Sequence, residues 1–131
     1  MTTQPNRFTF PVRVYYEDTD AGQIVYHSNY LKYMERARTE WLLSKGANLH
    51  HHAETNGELF VVHDLSIRYH RPAHLCDDLV VVSQIIKRTR TRAIFSQNIF
   101  RGEELLTEGE VVIVSLDAET RRPRPLPDFF N

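Results

Sequence analysis

VYYEDTDAGQIVYHSNYLKYMERARTEW, residues 14–41, is the stretch whose reading decides the fold. It opens at the end of one periodicity, crosses an acidic loop and enters another. Upstream, Phe8, Phe10, Val12, Val14 and Tyr16 share one parity, while Thr9, Arg13, Tyr15 and Glu17 take the other. That period of two predicts a strand with one buried face. Downstream, Tyr30, Met34, Ala37 and Trp41 fall at i, i+4, i+7 and i+11, the stripe of a helix packed along one side. Ser28 or Asn29 can cap its start, Lys45 suits its last turn, and Gly46 can end it. Such a helix is roughly 27 Å long at about 1.5 Å per residue.

The loop between the two carries three acids, Glu17, Asp18 and Asp20. The parity of the strand turns Glu17 towards the outer face, and Asp20 stands in a Thr-Asp-Ala-Gly turn nearer the helix. A carboxylate there precedes a helix N-terminus, where free N–H groups and the positive end of the dipole favour negative charge. A carbonyl held between that carboxylate and those amides would sit in an acyl-transfer site. A turn or capping aspartate is the commoner role for such a residue. Gly22 is expected to let the loop turn tightly.

Beyond the helix, residues 47–57 read as a loop or a short irregular helix. Leu59, Val61, Leu65, Ile67 and Tyr69 alternate with mostly polar neighbours, a strand that stops at Arg71-Pro72. Further strands are expected near 78–89, 92–101 and 104–117, the last two joined through Arg101-Gly102-Glu103. Residues 78–86 and 111–116 are apolar on both parities, and one helix covers only one face of a sheet, so a partner subunit is expected on the other. An α+β chain follows, a five-stranded antiparallel sheet wrapped around one long central helix. Residues 1–131 read as a single domain, with 1–7 and 121–131 as peripheral tails.

Sixteen basic and seventeen acidic residues leave a net charge of −1, with no global bias towards nucleic acid or membrane. No apolar run is long enough to span a bilayer, and residues 1–10 lack the features of a signal peptide. A single cysteine, Cys76, fits a reducing compartment, and the expected location is cytoplasmic.

The opening stretch resembles the signature of the YbgC-type acyl-CoA thioesterases, the Tol–Pal-associated branch of the 4-hydroxybenzoyl-CoA thioesterase group with the hotdog fold. The likeness continues through FVVHDLSIRYHRPAHLCDDL (60–79) and EVVIVSLDAETRRPRPLP (110–127). It departs at Gln23, a position often filled by glycine, and at Ser28, where alanine is common. The resemblance implies a thioesterase for short-chain or fatty acyl-CoA, with Asp20 as nucleophile or general base on water. It implies a backbone oxyanion donor near His27, with Gly22, Val25, Tyr26, Ser28 and Asn29 lining the substrate. No cofactor is implied, since coenzyme A belongs to the substrate. A homodimer or homotetramer is expected, at the inner membrane if peripheral to any surface.

His27 can orient the aspartate or shuttle a proton, or simply cap or pack. Tyr16 lies on the core parity, yet its hydroxyl is a second catalytic candidate. His63 shares the apolar parity of its strand and reads as a core histidine or as a pocket residue contributed across a dimer. Lys87 to Arg92 form a basic turn, either solvated or, through Arg88 and Arg90, a clamp for coenzyme A phosphates. No histidine spacing supports a metal site. The rival functions are a hotdog hydratase or dehydratase, and a non-catalytic acyl-thioester or acyl-carrier-protein binding module associated with phospholipid synthesis.

Overall fold

Alternating side chains build five strands: β1 (Arg7–Arg13), β2 (Glu58–Tyr69), β3 (Asp78–Arg88), β4 (Arg92–Arg101) and β5 (Glu104–Asp117). The computed structural model describes residues 7–131; the first six residues of the expected N-terminal tail lie outside the described residues. The strands pair antiparallel in the order β1-β3-β4-β5-β2, which leaves β1 and β2 as edges. Helix α1 (Asn29–Ser44) lies across one face, and a second helix, α2 (Leu49–Asn56), leads into β2.

The helical stripe packs as its spacing requires. Tyr30, Met34, Ala37 and Trp41 are buried, with Tyr33 beside them. Phe8 of β1 stacks on Trp41, and Phe95 of β4 meets the same indole edge-on. A Cβ at Gly109 would collide with the end of the Met34 side chain and crowd the Gln97 carbonyl at 3.0 Å, so glycine lets α1 press onto β5 there without moving Met34. Gln97 is buried beneath the helix. It donates to the Met34 carbonyl and to Ser83, both at 2.8 Å, and accepts from Arg38 at 2.8 Å. Every polar group of its amide therefore finds a partner in an otherwise apolar interface.

Four expectations need correction. The first strand ends at Arg13, not Tyr16, because the Tyr15 amide donates to the Asp18 carboxylate at 2.9 Å and folds Tyr16–Asp18 into a 3₁₀ turn. Tyr16 leaves the core parity and is 73% exposed. Residues 47–57 hold a regular helix: the Asn48 side chain accepts from the His51 amide, and Gly57 closes the end at φ +63°. The one long helix is thus joined by a second, and at 16 residues α1 spans about 24 Å at ~1.5 Å per residue. His63 lies at a bulge, between Val62 and Asp64, and is exposed instead of following the apolar parity.

The fourth correction concerns 121–131, which is no loose tail. Pro123 bridges Leu116, the Arg124 amide donates to Ser115 at 2.9 Å, and the Leu126 amide donates to Arg90 at 2.8 Å. Phe130 is buried against Phe60 and Phe95. On the outer face of the sheet Val80, Val82 and Val112 stay half-buried, beside a polar depression lined by Ser66, Arg68, Ser96, Asn98, Glu108 and Glu110. The doubly apolar character is therefore a patch, not the whole second face.

Candidate active site

The acidic loop closes as a miniature hairpin. Thr19 bridges Val25, the Asp20 amide donates to Ile24 at 3.0 Å, and the Gln23 amide returns to the Asp20 carbonyl at 3.0 Å. Asp20 is exposed; its Oδ1 accepts the Gly22 amide at 2.9 Å, and its Oδ2 makes no hydrogen bond among the described residues. Left-handed backbone is required at Gln23, φ +61°, and not at Gly22. That is the position at which the family resemblance favours glycine.

Asp18 does different work. It is buried, its Oδ1 accepts Asn29 Nδ2 at 3.0 Å, its Oδ2 holds the Tyr15 amide, and its carbonyl accepts the Tyr26 amide at 3.0 Å. Burial first, and the neighbouring Asp18 carboxylate second, raise the Tyr33 phenol far above its ordinary range. Asp18 thereby ties the 3₁₀ turn to the start of α1. Asn29, expected to line substrate, is buried on Asp18 instead.

Behind the loop stand residues 72–77. The Val25 amide donates to Ala73 at 2.9 Å, the Leu75 amide to Gln23 at 3.0 Å, and Ile24 bridges His74. Arg101 staples both ends of this segment, donating to Pro72 at 3.3 Å and Asp77 at 2.7 Å, while its other nitrogens hold Glu104. Burial alone would push the Asp77 carboxyl up. The His74 amide and Arg101 more than offset that and hold it below the usual carboxylate range.

The helix start supplies the donors. The Tyr26 amide is taken by Asp18 and the Asn29 amide by the Tyr26 carbonyl at 2.8 Å. The amides of His27 and Ser28 have no partner among the described residues. The Ser28 side chain makes no capping bond, so nothing closes these donors off. His27 borders a pocket of about 260 Å³, walled also by Val25, Tyr30, Tyr69, Arg71 and Pro72, and Ser28 follows it in the chain. The Tyr69 hydroxyl donates to the His27 carbonyl at 2.8 Å.

Asp20, Gly22, Val25, Tyr26, His27 and Ser28 are thus gathered in one loop-to-helix corner, with Tyr16 at its exposed edge. The His27 ring lies 4.4 Å from that of Tyr26 and makes no hydrogen bond to Asp20. Three candidates do not join them within one chain. Arg88 lies at the other end of β3, ten positions from Asp78 or roughly 33 Å at ~3.3 Å per residue, and donates to Leu126 and Pro127. Arg90 follows it in the turn. His63 is six positions down β2 from Tyr69, roughly 20 Å by the same rise. Among the described residues no three His, Cys, Asp or Glu side chains gather as a metal site. His50, His52 and His70 each pair with one glutamate. No described helix is long and apolar enough to cross a membrane.

Residues 22–108 match the model of the thioesterase superfamily, a span that starts two residues after Asp20. The chain is similar to the acyl-CoA thioester hydrolase YbgC of Escherichia coli O6:H1, 42% identical over 126 residues, covering 92% of this chain and 90% of that one. It is also similar to the acyl-CoA thioesterase YbgC of Haemophilus influenzae, 38% identical over 122 residues, covering 93% and 90%. Among solved structures, Slr0204, a 1,4-dihydroxy-2-naphthoyl-CoA thioesterase from Synechocystis, aligns with a TM-score of 0.89 at 27% identity, covering 95% of this chain and 92% of that one.

Proposed function

The chain belongs to the thioesterase superfamily, and from that premise we propose that it hydrolyses the thioester of a short-chain or fatty acyl-CoA to free acid and coenzyme A. The observation that carries the reading is an exposed Asp20 carboxylate on the loop that leads into α1, together with two amides at that helix start, His27 and Ser28, that have no partner among the described residues. The thioester carbonyl oxygen accepts from those amides, which stabilise the oxyanion as the carbon becomes tetrahedral. Asp20 either attacks that carbon or takes a proton from the water that does. Collapse breaks the C–S bond and releases the coenzyme A thiolate, which gains a proton. In the nucleophilic route a water then hydrolyses the acyl-aspartyl anhydride, so both routes consume one water and yield acid and thiol.

His27 bounds the pocket at the same corner, within reach of the same substrate, and makes no hydrogen bond to Asp20. The functional unit in this reading is a dimer built on the open edge of β2. Asp20→Asn keeps the size of the side chain and removes its charge. Expected is a fall in kcat of about 10²–10⁴, the range of a lost general base, measured as thiol release from a panel of acyl-CoAs of graded chain length. Full activity in that variant would sink the mechanism.

A further inference from the structure

Two peptide planes present the free amides, and they are held in different ways. The His27 N–H belongs to the 26–27 peptide, whose carbonyl is fixed by the helix itself through the Asn29 amide at 2.8 Å. The Ser28 N–H belongs to the 27–28 peptide, whose carbonyl the helix does not use: the Leu31 amide goes to Ser28 at 3.2 Å. Its only partner among the described residues is the Tyr69 hydroxyl, 42 positions along the chain and 2.8 Å away. None of the described peptide bonds is cis, and in a trans peptide C=O and N–H point in opposite directions. A hydroxyl that grips the His27 carbonyl therefore fixes where the Ser28 N–H aims.

We infer that Tyr69 is a positioning residue for the oxyanion site, clamping the 27–28 peptide so that the Ser28 amide faces the substrate carbonyl. The inference rests on the thioesterase reading of this corner and adds a residue that the reading does not need. The clamp is itself braced. The Tyr69 ring meets Tyr30 edge-on at 5.5 Å, and the Tyr30 hydroxyl accepts the Ala73 amide at 3.0 Å. Tyr69 is the last residue of β2, so the edge strand reports its position directly to the helix start. Burial raises the Tyr69 phenol above its ordinary value, itself already well above neutral pH, so the hydroxyl holds its donating proton. A pre-set donor of this kind costs no reorganisation when charge develops on the oxygen.

Tyr69→Phe removes the hydroxyl and keeps the ring. Expected is a fall in kcat of about 5- to 30-fold, short of the roughly 10²–10³ for deleting an oxyanion donor outright, with KM within about twofold. The thermal melt and the mass in solution should stay those of the parent. In the same variant the Ser28 amide nitrogen should shift in the ¹⁵N NMR spectrum, because the carbonyl of its own peptide loses a hydrogen bond. An unmoved Ser28 resonance overturns the clamp. So does an unchanged kcat, or a rise in KM equal to the fall in kcat, in a protein that Asp20→Asn inactivates. Retained activity in Asp20→Asn would instead overturn the catalytic reading, and the Ser28 resonance would still decide whether the clamp exists.

Discussion

Gln23 sits at φ +61°, a conformation that crowds the Cβ of an L residue and costs it roughly 1–2 kcal/mol. Its carbonyl accepts the Leu75 amide, so the loop that carries Asp20 is held in this shape from behind. Gln23→Gly removes the strain but gives the unfolded chain more freedom, an opposing effect of roughly 0.5–1 kcal/mol. The net gain should be about 0–1 kcal/mol, read in a thermal melt as a rise of no more than a few degrees. A clear drop in the midpoint would show that the Gln23 side chain contributes more than its backbone costs. Asp18 and Asp20 show how unlike two neighbouring acids are: one is buried with both oxygens paired, the other is exposed with one oxygen unpaired among the described residues. Spacing pointed at Asp20, but the buried role of Asp18 was not legible, because its partner Asn29 lies eleven positions away across a turn.

Secondary structure was read well where a single period ran long enough to speak. β5 spans Glu104–Asp117 as expected, and the apolar stripe of α1 faces the sheet. Helix α2 is legible only as one of two readings, a loop or a short irregular helix, since LHHHAETN buries none of its residues and so carries no stripe. The C-terminal segment hides its packing for a related reason: Pro-rich chain forms no ladder of its own, yet it can lie against one. Arg124 approaches Asp117 at 3.4 Å and Phe130 fills the space beside Phe60 and Phe95. Phe130→Ala should cost about 2–4 kcal/mol, towards the lower part of the range for large aromatic truncations because a chain end can settle into the void. Urea unfolding checks this. A change below about 0.5 kcal/mol, typical of a surface site, would return the segment to the status of a tail.

At the scale of the molecule, the strand order leaves β2 as a twelve-residue edge with open backbone groups. Val62, Leu65 and Tyr69 project from it 50%, 37% and 44% exposed, more apolar surface than an unprotected edge ordinarily shows. The proposed dimer covers it, and light scattering should report about twice the 15.4 kDa chain mass, with Leu65→Asp shifting the population towards the single chain. A monomeric parent protein would refute the dimer. The sequence by itself determined the order of elements, the buried stripe of α1 and the place of Asp20 before a helix start. Those depend on local periodicity and turn chemistry, which act over a few residues. Only the tertiary structure decided which amides lack a partner among the described residues, that Asp18 is a strut, and that Tyr69 bonds the His27 carbonyl and Arg101 the Asp77 carboxylate from 42 and 24 positions away. It also set Arg88 and Arg90 apart from Asp20 within one chain, because a strand carries its two ends a fixed distance apart whatever charge they bear. Contacts between distant positions leave no period in a single chain; they exist only once the sheet has closed around its helix.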